Sequence, residues 1–390
     1  MKDPIVIIGA GPAGLMAADR LSAAGLHVDI YDRMPSVARK FLMAGRGGLN
    51  LTHSEPIDRF VTRYGKRAQN LRPALEAFMP KDLRAWADNL GAETFVGSSG
   101  RVFPKIMKAS PLLRAWLKRL EAQGVKLHMR HDWRGWAKKE SSEALLFNDD
   151  VRVVPAVTIL ALGGASWPKL GGDGGWAEWL REKGVEIAPF QPANAGFQTT
   201  WSAPFADKFA GEPLKNIAVK FAGREVKGEL MLTRAGLEGG AIYALSAALR
   251  DAISKDGHAD LVIDLRPDLT KDQAVNKLKR ASPKDSQSNR LRKAFNLSPA
   301  AIALINEKPG ADFKTVTLRL TGAQGLDRAI SSAGGIKFDA LTPDFELKTL
   351  PGVYAVGEML DWEAPTGGYL LQACLSTAVA AAKAIAQTQT

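Results

Sequence analysis

Residues 5–32 read IVIIGAGPAGLMAADRLSAAGLHVDIYD, and this stretch decides the fold. Ile5 to Ile8 form a short apolar run that reads as a strand. It ends directly in Gly9-Ala10-Gly11-Pro12-Ala13-Gly14, and Leu15 to Ala24 continue with helical periodicity up to Gly25, a helix C-cap. HVDIYD then alternates as a second strand closing on Asp32, followed by Arg33. Strand, G-x-G-x-x-G, helix, strand and terminal acid in this order are the parts of a dinucleotide-binding βαβ unit. The chemistry accounts for each part. Gly9 permits the tight turn, Gly11 lets backbone amides approach a pyrophosphate, and Gly14 lets the helix pack close to the strand, while the helix amino end favours the anion. Asp32 is placed to accept hydrogen bonds from an adenosine ribose, and its charge disfavours a 2′-phosphate there.

A second glycine-rich stretch, FLMAGRGGLNLTH (Phe41–His53), follows with neither helical nor strand periodicity. Near the other end of the chain, GVYAVGEMLDWEAPTGGYLLQA (Gly352–Ala373) reads as a strand running into Gly-Glu, then Asp361, then Thr-Gly-Gly and a helix. That pattern suits a long flavin dinucleotide better than NAD. Gly357 lets the backbone pass close to a ligand, and Glu358 and Asp361 are candidates for ribityl hydroxyls. Backbone amides at Gly368 and Tyr369, at a helix amino end, suit the charge of a reduced isoalloxazine. FAD is therefore the expected cofactor.

The rest of the 390-residue chain sets bounds. With 46% hydrophobic and 24% charged residues it has the balance of a globular protein large enough for two or three cores. One cysteine, Cys374, excludes an internal disulfide or a Cys-x-x-Cys redox pair, so a cytoplasmic location is expected; the thiol itself reads as a small core group. Tyr369 to Gln387 is the most apolar late segment, but it is mostly alanine with Gln372, Ser376, Thr377 and Lys383, and reads as a buried helix and not a membrane span. The net charge of +11 is uneven: Arg59 to Lys139 carry 18 Lys or Arg against 6 Asp or Glu, together with Trp86, Trp116, Trp133 and Trp136. Cations mixed with large rings suit a nucleic acid, through phosphate neutralisation and base stacking; the plainer reading is solvated helix faces and core tryptophans. Ser110 to Gln123 is predicted as a helix opening on a Ser-Pro N-cap. After Pro189, alternation with turn glycines predicts antiparallel strands, and about 241–308 reverts to helical, charged sequence.

Taken together, IVIIGAGPAGLMAA, KFLMAGRGGLNLTH, GRVFPKIMKAS, ILALGGASWPKLGGDGG, GELMLTRAGLEGG and VYAVGEMLDWEAPTGGYLLQA resemble, in order and over almost the whole chain, the bacterial FAD-dependent flavoproteins of the YhiN/BaiN type. The resemblance implies an α/β fold: a doubly wound, Rossmann-like FAD domain with an inserted β-rich domain and a small helical subdomain. The expected boundaries are 1–190 and 326–390 for the FAD domain and 191–325 for the insert, with the helical piece at about 241–308. It also implies that the second glycine loop passes the pyrophosphate–ribityl middle and the flavin ring, and that Gly163-Gly164 return the chain to the cofactor. The candidate cofactor-binding set is thus Gly9, Gly11, Pro12, Ala13, Gly14, Asp32, Arg33, Lys40, Gly45, Arg46, Gly47, Asn50, Thr52, Gly163, Gly164, Gly357, Glu358, Asp361, Gly367, Gly368 and Tyr369. Two departures stand out. Where most of the family has Gly-Arg-Cys-Asn-x-Thr, Gly48 and Leu49 replace the Arg-Cys pair, with Arg46 two positions earlier; and the usual Tyr-Asn is Tyr369-Leu370.

The expected activity is an FAD-dependent oxidoreductase that reduces an unsaturated substrate, either a uridine of ribosomal RNA or a small organic molecule. No second dinucleotide fingerprint follows a later strand, so NAD(P)H is expected as a transient donor at the flavin face. Two alternatives are an oxidase of a small amine-type substrate using oxygen, and an RNA-binding protein with structural FAD; where RNA is the partner, the basic region 59–139 is the expected nucleic-acid surface. No catalytic residue, metal cluster or oligomeric state is read from the sequence. His53 is weighed as a proton donor against an ordinary loop histidine, and Lys169 and Asp173 read as solvated.

Overall fold

The computed structural model describes residues 3–45, 47–137, 144–148, 150–308 and 310–389. The chain divides into two compact units, Met1–Gln191 with Ser331–Thr390, and Pro192–Ile330.

The first unit is built on a five-stranded sheet. Its strands are β1 (Ile5–Ile8), β2 (Val28–Asp32), β3 (Lys126–Met129), β4 (Val157–Leu160) and β5 (Val353–Ala355). All the pairings are parallel and the order is β5-β4-β1-β2-β3, so the winding direction reverses between β1 and β4. In a doubly wound sheet the crevice outside the carboxyl ends of the strands at that reversal is the ligand site. β1, β4 and β5 are buried on both faces, and accordingly they read IVII, VTIL and VYA, without a charged residue.

Three helices matter for the site: α1 (Pro12–Ala23), α2 (Ala109–Ala122) and α3 (Tyr369–Gln389). α3 is long and apolar enough to cross a membrane by length and composition. It is instead a core helix that packs along α1, with Ala373, Leu375, Ala378, Ala381 and Ile385 all buried. α2 starts one residue earlier than its Ser-Pro signal suggests. Lys108 holds the N-cap position without a side-chain cap bond, and Ser110 and Pro111 fall within the first turn, where the missing proline N–H costs nothing. Packing sets the start: a Cβ on Gly45 would lie 2.5 Å from that of Ala109, so the second glycine loop rests on the first helical residue.

Two small antiparallel sheets complete this unit, one of Thr52–His53, Arg101–Pro104 and Thr94–Val96, the other of Trp133–Trp136, Leu145–Phe147 and Val151–Val153. They correct the aromatic part of the nucleic-acid reading. Trp86, Trp116 and Trp133 are 5%, 1% and 2% exposed, and Trp136 is half-buried with its ring edge-on to Trp133. Rings sealed in a core cannot stack on bases.

The second unit is a seven-stranded antiparallel sheet in the order Val316–Leu320, Ala259–Asp264, Pro213–Phe221, Arg224–Thr233, Gly236–Glu238, Phe197–Gln198, Gly322–Ala323. Its two outermost members are separated in sequence only by Thr321, so one kinked segment closes both edges and rolls the sheet up. Ala259–Asp264 corrects the helical assignment of 241–308. Its side chains alternate in burial and it pairs on both sides within the sheet, and this tertiary pairing overrides its charged, helical surroundings. The helical piece proper is Lys271–Lys279, Gln287–Phe295 and Pro299–Glu307.

One ion pins the strand to the loop that follows it. The buried Lys314 Nζ donates to the carbonyls of Arg266 (2.7 Å) and Leu269 (2.6 Å) and lies 2.8 Å from Asp264. Replacing Lys314 by Met should cost about 3 kcal/mol by stranding the Asp264 carboxylate, seen as a lower denaturant midpoint with unchanged flavin content.

Candidate active site

Four segments of the first unit converge outside the carboxyl ends of β1 and β4. The first glycine loop is tightly fixed. Gly9 has φ +109°, its N–H donates to the Tyr31 carbonyl, and a Cβ there would lie 2.3 Å from the Ala161 carbonyl oxygen. A Cβ on Gly14 would lie 1.9 Å from the Gly9 carbonyl oxygen. Those two glycines are demanded by the protein itself. Gly11 is different: it is extended (φ −80°, ψ −179°), and a Cβ there meets nothing within 4 Å.

Asp32, at the end of β2, accepts the Ala10 N–H on one oxygen and the Met34 N–H on the other, both at 2.7 Å. Burial pushes its carboxyl above the usual range, against these amides and the charges of Arg33 and Arg39. Arg33 itself turns to the loop after β4, where it donates to Asp173 (2.6 Å) and to the Gly171 carbonyl (2.8 Å). Asp173 is exposed as expected, yet held, and Arg33 keeps its carboxyl below the usual range despite partial burial. Lys169 is exposed.

Lys40 joins three segments. Its Nζ donates to Ser166 Oγ (2.9 Å) and Glu358 (3.0 Å), and the other Glu358 oxygen accepts the Ser332 N–H (3.0 Å). Gly164 fits against this cluster with no room for a Cβ, which would lie 2.0 Å from Ser332 Oγ. Gly357, at φ +74°, lies against the first turn of α1, a Cβ there falling 2.9 Å from Ala13. Asp361 is ion-paired with Arg67. Both acids read as ribityl candidates therefore already hold a protein cation.

At the head of α3, Gly368 (φ +93°) lies directly on the backbone of Thr52, which ties the second glycine loop to this helix. Thr52 Oγ1 donates to Gln372 Oε1 (2.7 Å) inside the core. Gly367 has φ +132° and lies under the Tyr369 ring. The Tyr369 hydroxyl donates to Glu55 (2.7 Å), which also accepts from Arg63 Nε (2.9 Å) and Nη2 (2.6 Å). Burial and the Glu55 carboxylate raise the Tyr369 phenol well above its usual range.

His53 stacks on Tyr369 with ring centroids 5.5 Å apart. Its Nδ1 accepts the Glu55 N–H (3.1 Å), so Nε2 carries the proton and donates it to the Ser99 carbonyl (3.0 Å). Both nitrogens are engaged by backbone, which sets aside the proton-donor reading. Cys374 behaves as a core thiol, burial pushing it up to about 12. Arg46 lies outside the described residues.

Sequence reasoning missed Glu55, Arg63, Arg67, Ser166, Ser332 and Gln372. Ser166 and Gln372 lie inside quoted motifs but carry no chemistry there that spacing reports, the other four lie in no motif, and their partners lie up to 320 residues away. Glu55 is also a pH element. Burial pushes its carboxyl up, but the hydrogen bonds from Arg63 and Tyr369 outweigh this and hold it below the usual range. Its stabilisation is complete above the unfolded carboxylate range and is lost as pH falls through the folded value. Acid unfolding followed by circular dichroism should accordingly show a shallower acid limb in Glu55→Gln than in wild type.

The residues present fit an extended dinucleotide. The surfaces above Gly11, Gly47 and Gly163 are open, with no atom within 4 Å of an added Cβ; Gly163 is required by its own φ of +74°, whereas no protein neighbour accounts for the small size of Gly11 and Gly47. Asn50 Oδ1 is buried with no hydrogen-bond partner among the described residues, which marks a polar group awaiting a ligand. Residues 3–384 match the HI0933-like protein Rossmann domain. The chain belongs to this family of FAD-dependent flavoproteins. Within the HI0933-like family, it is 26% identical to the 3-dehydro-bile acid delta(4,6)-reductase of Clostridium scindens, over 98% of this chain and 99% of the relative. It is 24% identical to the ribosomal RNA dihydrouridine synthase of Haemophilus influenzae, over 98% of each. Among solved structures it resembles the open conformation of a flavocytochrome c3 fumarate reductase, with TM-score 0.56 and 14% identity over 99% of this chain and 78% of the other, a likeness of fold. This HI0933-like chain is a flavoprotein oxidoreductase with a parallel Rossmann-like sheet and an antiparallel β-rich insert.

Proposed function

We propose that this protein is an FAD-dependent reductase of a carbon–carbon double bond in a small apolar substrate, with NAD(P)H as a donor that binds transiently. The observation that carries the reading is the match, over nearly the whole chain, to two relatives named for related chemistry on unrelated molecules, a delta(4,6)-reductase and a dihydrouridine synthase. Bound FAD supplies a two-electron redox centre. The chain's own residues hold it: Gly11 and the amino end of α1 the pyrophosphate, and Asp32 the adenosine ribose. Gly45, Gly47, Asn50 and Thr52 would line its middle, Lys40 and Glu358 would provide a charged pair, and the Gly368 and Tyr369 amides at the head of α3 would offset negative charge on the reduced flavin.

A small apolar substrate is favoured by the surface beside the second glycine loop. Phe95, Val96, Ile106 (61% exposed) and Met107 are half of the eight large apolar side chains exposed among the described residues. Met107 reaches Gly48, where its Cε would lie 2.8 Å from a Cβ, and its carbonyl accepts the Leu49 N–H. A ribosomal RNA substrate is a second reading, supported by the likeness to the ribosomal RNA dihydrouridine synthase and by the cationic excess between Arg59 and Lys139, but not by Trp86, Trp116 and Trp133, which are core residues.

The test is anaerobic mixing with NADH or NADPH while flavin absorbance is followed, and then addition of conjugated enones or unmodified ribosomal RNA. Bleaching by a nicotinamide and recolouring by an enone is the expected result. Recolouring by RNA alone, with salt-sensitive RNA binding, would replace the small-molecule reading. Bleaching by an amine but by neither nicotinamide, with recolouring by oxygen, would make the enzyme an oxidase.

A further inference from the structure

We propose that a cavity of about 410 Å³ at the far end of α1 is a second binding site, for a small carboxylate- or phosphate-bearing molecule with a flat apolar body. It lies between the last turn of α1, the helix Pro80–Asp88 and α2, and is lined by Arg20, Phe78, Trp86, Asn89 and Arg119. Its volume is that of a small-molecule site. Arg20 stands about 12 Å along the helix axis from Pro12, at the opposite end from the glycine loop. The cavity is therefore separate from the first glycine loop.

The charge arrangement calls for an anion. Arg20 sits with its guanidinium 5.1 Å over the Phe78 ring, has no carboxylate partner among the described residues, and buries an Nε that makes no hydrogen bond. The dipole at the carboxyl end of α1 offsets part of that cost but supplies no acceptor in the cavity. Arg119 is only loosely held. One Nη lies 3.6 Å from Asp19 and the other donates to the Asn89 carbonyl at 3.4 Å. The acids nearby are committed elsewhere: Asp19 accepts the Trp86 indole N–H at 2.7 Å, and Asp82 accepts the Met79 N–H at the start of its helix. Two guanidiniums thus face one cavity whose lining holds a single carboxylate, Asp82, and of the two only Arg119 has an acid, Asp19, in reach among the described residues. A buried cationic donor left without a partner is the kind of group that a bound anion satisfies. Phe78 and Val379 give the apolar wall for the rest of the ligand.

Calorimetric titration of the purified, FAD-loaded protein tests the assignment with benzoate, phenyl phosphate and, as the neutral counterpart, benzyl alcohol. At least one anion should bind saturably at one site per chain, and the two anions separate a carboxylate from a phosphate preference. Affinity should fall at least tenfold in Arg20→Met and vanish in Ala85→Phe, which fills the cavity from an exposed helix position and leaves every polar contact in place. Flavin content should be unchanged in both. No saturable binding by either anion, equal binding of benzyl alcohol, or binding that survives Ala85→Phe would overturn the proposal.

Discussion

Gly11→Val will purify folded and colourless. Valine adopts the extended backbone of residue 11 without strain, and its Cβ meets no protein atom within 4 Å, so the apoprotein loses nothing. The two methyl groups occupy the approach to the α1 amino end, where the pyrophosphate is placed. We expect FAD binding weaker by roughly a hundredfold, equivalent to about 2.8 kcal/mol, with circular dichroism and melting temperature close to those of flavin-stripped wild type. The readout is the ratio of flavin to protein absorbance after reconstitution. Full flavin stoichiometry in this variant would falsify the placement of the pyrophosphate. Gly9→Ala and Gly14→Ala serve as contrasts, because added methyl groups there collide with the backbone of Ala161 and of Gly9 and should impair folding itself.

Gly368→Ala should fail in the opposite way. At φ +93° any side chain is strained, and the added methyl would lie 2.5–2.7 Å from three backbone atoms of Thr52. Backbone in a paired strand cannot give way as a side-chain tip can. A loss of about 3 kcal/mol or more follows from the combined strain and collision, together with loss of flavin, since the second glycine loop is displaced from the head of α3. Thermal melting of the flavin-stripped protein separates the two effects. A melting temperature equal to wild type would show that Thr52 and Gly368 do not bear on each other as described.

These two glycines also show what a sequence can carry. The role of Gly11 is local: its neighbours, the following helix and the acid at residue 32 lie within one supersecondary unit, so spacing alone is enough. The close contact at Gly368 depends on Thr52, more than three hundred residues away, and no spacing rule reports it. The same holds for Tyr369, Glu55 and Arg63, and for Lys40 with Glu358, pairs that exist only because the ends of the chain fold onto one sheet. The strand Ala259–Asp264 was obscured for a related reason: its six residues are framed by charged helices, and only pairing on both sides makes it extended. The aromatic count misled where burial was decisive, since Trp86, Trp116 and Trp133 of the basic stretch are interior. The boundary of α2 turned on Ala109 supporting Gly45, a packing detail outside any capping signature.

β5 and α3 come from the last sixty residues, and β5 is an edge of the sheet whose other four strands are complete by Leu160. During synthesis, a ribosome that has released the first 330 residues has made both glycine loops but not Gly357, Glu358 or the head of α3. On the proposed placement of FAD, cofactor capture therefore waits for the segment beyond residue 330. A premature stop anywhere in the insert leaves a product without β5 and α3, with the apolar flank of α1 that α3 covers open to solvent.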